Sequence, residues 1–216
     1  MKSEAIVELG KPLQTIESET PEPKGKEVLL KITHSGVCHS DVHIHDGYFD
    51  LGGGNKLPVG QMLNLPHTMG HEIEGEVAAI GPDVTDVEIG ANVVAYPWIG
   101  CGECATCKAG DEHYCNAPRQ LGIQLPGGFA DYCIVPDSKY VLDYTGIRPG
   151  LAATYMCSGL TAFGALKKFV NITDEDHILI MGLGGVGMMG LQFARALFNC
   201  KILAADIDPN KLQAAK

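Results

Sequence analysis

The sequence predicts two domains of different fold class: a mainly-β domain, then the beginning of an α/β domain built on a doubly wound parallel sheet. Up to about residue 150, glycine and proline divide the chain into short β-type runs at 28–33, 75–80 and 93–96. Such spacing is typical of a small, irregular β-barrel or sandwich. After Pro149 the order becomes helix, strand, glycine-rich loop, helix and strand. This order predicts a βαβ unit, with which a parallel sheet begins.

Individual segments refine this division. Segment 50–66 contains three consecutive glycines and little periodicity, which predicts a long surface loop beside a functional site. Leu160, Phe163 and Leu166 recur at helical spacing, and the apolar runs 178–181 and 201–205 predict strands on either side of a helix over 188–198. A doubly wound domain needs several more strands. Either the sequence is a truncated piece of a longer protein, or its α/β domain is incomplete.

Composition excludes several classes of protein. The chain has 216 residues, 45% of them hydrophobic, which is enough for a buried core. A net charge of -10 argues against a nucleic-acid partner. The sequence contains no run of roughly 18 apolar residues, which is the length that would predict a membrane span. Glu4 and Glu8 interrupt any secretory signal. Eight cysteines without an export signal predict reduced, metal-binding thiolates and a cytoplasmic location.

Four cysteines form the clearest motif. The pattern C-x2-C-x2-C-x7-C places four thiolates within fifteen residues and surrounds them with glycines: Cys101, Cys104, Cys107 and Cys115. Four thiolates so close in sequence can enclose one zinc ion tetrahedrally, and such a closed site is structural, since no coordination position remains open. His113 lies inside this loop, but four sulfurs already complete the coordination, so we interpret it as a surface residue.

Two further segments carry a family resemblance. GVCHSDVH over 36–43 and GHEIEGEVAAIG over 70–81 resemble the signature of zinc-containing medium-chain alcohol dehydrogenases, which belong to the medium-chain dehydrogenase/reductase superfamily. The resemblance extends from about residue 5 to 216. It implies a GroES-like barrel over residues 1–156 as the catalytic domain, and a partial, truncated Rossmann domain for NAD over 157–216. The implied activity is the interconversion of an alcohol and its aldehyde or ketone; the alternative is a zinc-binding fragment that folds but has no activity.

The same resemblance implies a second, catalytic zinc. Its ligands would be Cys38, His71 and Cys157, with Glu72 adjacent as an alternative ligand and catalytic residue. Two thiolates and one imidazole leave a fourth position open for an alcohol, whose pKa falls on the metal so that an alkoxide can transfer hydride to the nicotinamide. Cys157 rests on its position and its spacing to Thr161; the alternative is a small buried residue at a helix start.

The resemblance also implies a path for the released proton. Ser40 would accept it and pass it through the cofactor ribose to His43, since imidazole is the side chain suited to proton exchange near neutral pH. The alternatives are a helix N-cap for Ser40 and a surface position for His43. Asp41 would orient His71 from behind. His39 occupies the place where the family holds the cofactor pyrophosphate.

A dinucleotide fingerprint follows. Gly182, Gly184 and Gly187 spell G-x-G-x-x-G after an apolar strand, and Asp206 ends the next strand nineteen residues later. A carboxylate at Asp206 accepts hydrogen bonds from the ribose hydroxyls and repels the extra phosphate of NADP, which predicts NAD. By resemblance Thr161 and Lys211 also contact the cofactor; Lys211 could equally be a solvated helix residue.

Substrate identity stays open. Trp98 and Tyr48, with Phe49, suggest an apolar substrate pocket, although all three could be packing residues. We expect a small alcohol or carbonyl substrate, no nucleic acid or membrane partner, and a homo-oligomer that pairs through the cofactor domain. Cys133 and Cys200 lie in apolar stretches and are predicted core residues. The remaining histidines match no functional position: His34, His45, His67 and His177.

Overall fold

A computed structural model describes residues 1–216, which divide into two compact units, Met1–Met156 and Cys157–Lys216. The strands are β1 (Lys2–Ile6), β2 (Gln14–Glu17), β3 (Val28–Gly36), β4 (Tyr48–Asp50), β5 (Lys56–Pro58), β6 (His67–Thr68), β7 (Glu72–Ile80), β8 (Asn92–Ala95), β9 (Tyr132–Val135), β10 (Val141–Asp143), β11 (His177–Met181) and β12 (Lys201–Ala205). The α-helices are α1 (His39–Asp46), α2 (Ala105–Lys108), α3 (Ala152–Thr154), α4 (Leu160–Leu166), α5 (Gly185–Leu197) and α6 (Pro209–Ala214). None of the helices combines the length and apolar character that a membrane span requires.

The first unit is built on a five-stranded antiparallel sheet in the order β10-β8-β7-β3-β9. β3 and β7 pair along their whole length, and Gly36 at the end of β3 lies opposite Glu72 at the start of β7. This register brings the 36–43 and 70–81 segments side by side. Inward-facing apolar side chains of the sheet form the main core, including Val28, Leu30, Ile73, Val77, Val93 and Val135.

Helix α1 follows directly from β3 and is fixed by a second, smaller core. Cys38 is its N-cap, and Gly47, at φ +81°, ends it by donating its N–H to His43 O and Ile44 O. This left-handed conformation suits glycine, which has no Cβ to clash. Ile44 packs with Ile6 of β1 in the smaller core. Ile44 is therefore the one buried apolar residue by which α1 packs against the domain.

Segment 50–66 differs from its prediction as a loop without secondary structure. β4 and β5 pair antiparallel as a short hairpin, and a single 3-10 turn, Gly60–Met62, follows. Gly52, Gly53 and Gly54 all have positive φ angles between 61° and 83° and form the turn. The three-residue strands are mostly exposed, so they carry no alternation of apolar and polar residues that a sequence pattern would reveal.

The second unit confirms the predicted βαβ order. β11 and β12 pair in parallel from His177↔Lys201 to Met181↔Ala205, and α5 connects them. Leu166, Ile178, Ala194 and Cys200 form its core, which confirms Cys200 as a core residue. Helix α5 begins at Gly185, earlier than predicted, because the glycine loop closes directly into the helix with Gly184 as N-cap.

Candidate metal centres and cofactor loop

The four cysteines of the C-x2-C-x2-C-x7-C motif converge. Their sulfur atoms all lie within 4.8 Å of one another, and none is in a disulfide. The Sγ atoms of Cys104 and Cys107 are 3.5 Å apart, those of Cys104 and Cys115 3.8 Å, and those of Cys101 and Cys107 3.9 Å. A tetrahedral zinc site with Zn–S bonds of about 2.3 Å has sulfur separations of about 3.8 Å. The cluster therefore fits one zinc ion.

Backbone amides point at these sulfurs and favour thiolates. The N–H groups of Cys104 and Cys107 donate to the sulfurs of Cys101 and Cys104, each at 3.4 Å, and Ala117 N–H donates to Cys115 Sγ at 3.3 Å. Such donors, first that of Glu103, lower the pKa of Cys101 to about 6. Burial raises the pKa of Cys107 to about 12, since a crowded thiolate without a cation is disfavoured. A divalent cation would remove that penalty.

Glu112 attaches the cysteine loop to Lys139 and Tyr140, in the turn that immediately precedes β10. Its carboxylate accepts hydrogen bonds from Gly100 N at 3.3 Å, from Lys139 Nζ at 2.6 Å and from the Tyr140 hydroxyl. A Cβ atom at Gly100 would lie 2.5 Å from Cys107 Sγ, so only glycine fits against the cluster. Hydrogen bonds of Glu112 thus fix the outer side of the loop, and the absence of a side chain at Gly100 allows close packing around the sulfurs.

Cys38, Asp41 and His71 form the second constellation. Asp41 Oδ2 accepts the backbone N–H of Cys38 at 2.8 Å, and Asp41 Oδ1 lies 3.1 Å from His71 Nδ1. Asp41 is 2% exposed and His71 fully buried. One carboxylate therefore contacts both the backbone at the start of α1 and the imidazole of His71.

The other nitrogen of His71 is unusual. Nε2 is buried and has no hydrogen-bond partner, which is costly unless the atom has a ligand. Burial of the ring lowers the pKa of His71, but the Asp41 carboxylate and the nearby Cys38 thiol outweigh it and raise the pKa to about 10. With this pKa, both ring nitrogens carry a proton at neutral pH when no metal is bound. A metal ion would compete with the proton on Nε2. The donor set and the unsatisfied nitrogen fit a zinc ligand.

Glu72, which follows His71 in the sequence, is also buried, with 3% of its surface exposed. A Cβ atom at Gly36 would lie 2.1 Å from Glu72 Oε2, so the glycine of the 36–43 segment makes room for the carboxylate. The close approach of Gly36 and Glu72 is a direct consequence of the β3–β7 register.

The predicted relay residues lie on helix α1. Cys38, and not Ser40, is the N-cap, so the alternative of a capping role for Ser40 is wrong. The ring of His43 lies 4.8 Å from that of His39, nearly parallel to it, and 4.9 Å from that of Phe49. His43 is half-buried and His39 is exposed.

The two predicted pocket aromatics have different surroundings. The Trp98 ring lies 5.8 Å from the His71 ring, and its Nε1 donates to Met156 O at 2.8 Å. Tyr48 is part of the β4–β5 hairpin, where the Lys56 amine lies 3.6 Å from its ring centroid. Trp98 therefore borders the His71 imidazole directly, whereas one face of Tyr48 is already covered by a cation.

In the second unit, Cys157 is buried within a π-helical turn, Tyr155–Gly159, and Thr161 is exposed on α4. The glycine loop follows β11. Gly182 has φ +85°, and a Cβ atom at Gly187 would lie 1.8 Å from Gly182 O, whereas one at Gly184 would meet nothing within 4 Å. Gly187 thus serves packing, and Gly184 leaves open space at the N-terminus of α5, where a pyrophosphate binds in such loops.

Asp206 is linked to this glycine loop. Its Oδ2 accepts Leu183 N at 2.6 Å and its Oδ1 accepts Asp208 N at 2.8 Å, and these backbone donors hold the pKa of Asp206 below its usual value. Each carboxylate oxygen keeps a further lone pair that can accept another hydrogen bond. Lys211 Nζ lies 3.9 Å from Asp206 Oδ2, at the limit of an ion pair.

Sequence patterns missed one polar cluster. Glu74 is 1% exposed and accepts hydrogen bonds from His34, Tyr144 and Gly150. The sequence offered little signal, because Glu72, Glu74 and Glu76 recur at every second position of β7 and only the fold shows that Glu74 is buried and Glu76 exposed. His67 is also buried, and its Nε2 bonds Gly122 O at 3.1 Å. Cys133 is 3% exposed on β9, which confirms it as a core residue.

Comparison with known proteins agrees with this geometry. The sequence profile of the alcohol dehydrogenase GroES-like domain matches residues 24–146. An NAD-dependent alcohol dehydrogenase of Saccharolobus solfataricus is 39% identical over 218 residues, which cover all of this chain and 61% of that protein. The chain thus spans about three fifths of the length of the curated relatives it matches.

Two solved structures have the same fold. The alcohol dehydrogenase of Aeropyrum pernix superposes with a TM-score of 0.85 at 27% identity, over 100% of this chain and 62% of that one. A cobalt- and zinc-bound thermostable alcohol dehydrogenase from Pyrobaculum aerophilum superposes with a TM-score of 0.83 at 29% identity, over 99% of this chain and 62% of that one. The chain therefore shares its fold with two alcohol dehydrogenases, the second of which is metal-bound.

Proposed function

Because the chain belongs to the alcohol dehydrogenase GroES-like domain family, we propose that the protein is a zinc-dependent, NAD-linked dehydrogenase that interconverts an alcohol and its aldehyde or ketone. The observation that carries the proposal is the fully buried His71, whose Nε2 has no hydrogen-bond partner while Asp41 holds its Nδ1. An imidazole in this state is prepared for a metal on one nitrogen and fixed by a carboxylate on the other.

Cys38, His71 and Cys157 are the proposed ligands, with Glu72 as an alternative. Cys157 directly follows Met156, whose carbonyl accepts the indole N–H of Trp98, and the Trp98 ring lies 5.8 Å from that of His71. This continuity of the chain supports Cys157 as the third ligand. A zinc ion at these residues would supply Lewis acidity, which favours ionisation of an alcohol at neutral pH.

Asp41 would keep His71 in the tautomer with a proton on Nδ1, so that the lone pair of Nε2 stays available. Trp98 and Glu72 would exclude water from the same region, since Glu72 is buried and the indole borders the imidazole. Tyr48 is the second proposed pocket residue. Both aromatic side chains would favour an apolar part of the substrate.

The proton released from the alcohol would leave through Ser40 and His43. Both lie on α1, the first helix after the Cys38 ligand, and His43 is half-buried between His39 and Phe49. Intermediate burial suits a group that must reach both the site and solvent. His39, which is exposed, would contact the cofactor pyrophosphate.

NAD would bind through the loop of Gly182, Gly184 and Gly187. This loop leads into α5, and the open N-terminus of that helix would attract the pyrophosphate. Asp206 would accept hydrogen bonds from the ribose hydroxyls of NAD. Its negative charge would repel the additional phosphate of NADP. Thr161 and Lys211 are proposed as further contacts. The substrate class would be a small-molecule alcohol or carbonyl compound.

The cysteine cluster would hold a second, structural zinc ion, so that each chain carries two. We also infer a homo-oligomer that pairs through the cofactor domain. The eight free cysteines support a cytoplasmic location, where thiols stay reduced.

The test is an assay of the full-length protein. Purified protein is analysed for zinc and assayed for NADH formation with primary, secondary and aromatic alcohols, together with the variants Cys38→Ser and Cys133→Ser. We expect two zinc ions per chain, activity with at least one alcohol class, and loss of one zinc and of activity only in Cys38→Ser. Cys133 serves as the matched control because its thiol is buried in the β9 core.

Full-length protein without activity on any alcohol would contradict this proposal. It would support the alternative of a zinc-binding module that folds but does not catalyse. A single zinc that Cys38→Ser removes and Cys101→Ala retains would contradict the structural assignment of the cysteine cluster.

A further inference from the structure

Glu74 is a buried carboxylate that the proposed chemistry does not use. It lies on β7 with only 1% of its surface exposed. Its Oε1 accepts hydrogen bonds from Tyr144 Oη at 3.1 Å and Gly150 N at 3.0 Å and lies 3.2 Å from His34 Nδ1; its Oε2 lies 3.0 Å from Gly150 N. Burying a charge is costly unless such donors satisfy it. Four residues therefore form one unit, the Glu74 clamp: Glu74, His34, Tyr144 and Gly150.

The clamp connects the sheet to the segment that follows it. His34 is on β3, beside β7, whereas Tyr144 and Gly150 lie between the end of β10 and the start of α3. Residues 145–150 are exposed, so Glu74 provides this segment with its buried polar anchor. Gly150 has φ +80°, and a Cβ atom there would lie 3.4 Å from the His34 ring. Glycine at this position lets the backbone N–H approach the carboxylate.

The anchored segment leads into the helical region that contains Cys157, one of the proposed metal ligands. Helix α3 starts two residues after Gly150, its backbone continues through Met156, and Cys157 is the next residue. On the same strand as Glu74, Glu72 starts β7 immediately after His71. One carboxylate thus sits between the strand that follows one proposed ligand and the loop that precedes another.

We propose that Glu74 is a positioning residue for the catalytic metal site, which it serves by fixing where the helix of Cys157 begins. This inference rests on the proposed function, because it assumes the zinc ligands named there. The carboxylate is required because all its partners are donors. A glutamine would present an amide N–H to one of them and would replace an attraction by a repulsion.

The experiment measures zinc release from the full-length, zinc-loaded protein. A chelator is added, and the rates at which the two zinc ions leave are recorded for wild type, Glu74→Gln, Tyr144→Phe and Val77→Ala. Val77→Ala is the matched control, since it removes buried methyl groups from the same strand without touching the clamp. Thermal unfolding of each variant reports general destabilisation.

We expect Glu74→Gln to speed the release of one zinc about tenfold or more, which is the usual cost of losing an outer support of a metal site. The zinc of the cysteine cluster should leave at the wild-type rate. Tyr144→Phe removes only one donor and should give a smaller change in the same direction. It also keeps the proposal testable if Glu74→Gln does not fold.

Two results would overturn the clamp while leaving the proposed function intact: unchanged zinc release in both clamp variants of a wild type that holds two zinc ions, or equally selective release in Val77→Ala at a matched melting temperature. The latter would assign Glu74 to stability alone. Wild-type protein that binds a single zinc would contradict the proposed function, and the clamp's role with it.

Discussion

Asp41 Oδ1 lies 3.1 Å from His71 Nδ1, and the two side chains are almost completely excluded from solvent although thirty residues separate them in sequence. The same carboxylate accepts the N–H of Cys38. Orientation of two proposed zinc ligands therefore depends on one side chain.

Replacement of Asp41 by asparagine should weaken the catalytic zinc selectively. In aspartate both oxygens accept, one from Cys38 N–H and the other from His71 Nδ1–H. In asparagine one of these oxygens is replaced by an NH2 group, which cannot accept a hydrogen bond, so one of the two ligands loses its support. We expect a loss of about 10- to 100-fold in zinc affinity at this site, measured by competition with a chelator. Asp46→Asn, at the exposed end of the same helix, is the control and should change nothing. Equal affinities in the two variants would contradict the role of Asp41.

Alanine at Gly187 and alanine at Gly184 should differ in kind. A Cβ atom at Gly187 would overlap Gly182 O at 1.8 Å, so Gly187→Ala should destabilise the second unit even without cofactor. A Cβ atom at Gly184 meets no protein atom within 4 Å, so Gly184→Ala should keep the melting temperature and weaken NAD binding. Thermal unfolding with and without NAD distinguishes the two. Unfolding of Gly184→Ala at a lower temperature in the absence of NAD would show that this loop is not open to a ligand.

Removal of the Asp206 charge should relax the choice of cofactor. Asp206→Asn loses a charged hydrogen-bond acceptor and the repulsion of a 2′-phosphate, so the KM for NAD should rise about tenfold while the KM for NADP falls. Steady-state kinetics of the full-length protein with both cofactors measure this. Lys211→Ala is the comparison, and its effect should be smaller because its amine is 3.9 Å from the carboxylate. An Asp206→Asn protein that discriminates as well as wild type would refute the assignment.

Glu112 should make the cysteine loop sensitive to acid. Burial raises its pKa, but hydrogen bonds from Lys139, Tyr140 and Gly100 outweigh this and hold the pKa below the ordinary value of 4.5. A group whose pKa is lower in the folded state stabilises the fold above its unfolded pKa, and this contribution is lost as pH falls through the folded value. Glu112→Gln should therefore cost about 2 kcal/mol at neutral pH.

The measurement is denaturant unfolding of the zinc-loaded protein as a function of pH. The difference in free energy of unfolding between wild type and Glu112→Gln should be constant above about pH 4.5 and shrink below it. Glu103→Gln, in the same loop, provides a control for the loss of one carboxylate. A wild-type advantage that persists unchanged in acid would mean that the ionised form of Glu112 is not what stabilises the loop.

Prediction from sequence succeeded where the interacting residues are close along the chain. The cysteine cluster spans fifteen residues, so turns of the backbone within this short segment bring the four sulfurs together. The βαβ order of the second unit is likewise visible as apolar runs on either side of a glycine loop. The hairpin of β4 and β5 was missed, since its exposed three-residue strands have no periodic pattern.

By itself the sequence determined the mainly-β and α/β composition of the chain, the four clustered thiols and the glycine loop, because short-range spacing suffices for each. Only the tertiary structure decided which nitrogen of His71 is left without a partner, and that Glu74 joins His34, Tyr144 and Gly150. These groups are separated by up to 116 positions along the chain. Their meeting depends on strand register and on the path of the chain after β10, and hydrogen-bond satisfaction is a property of the folded chain as a whole.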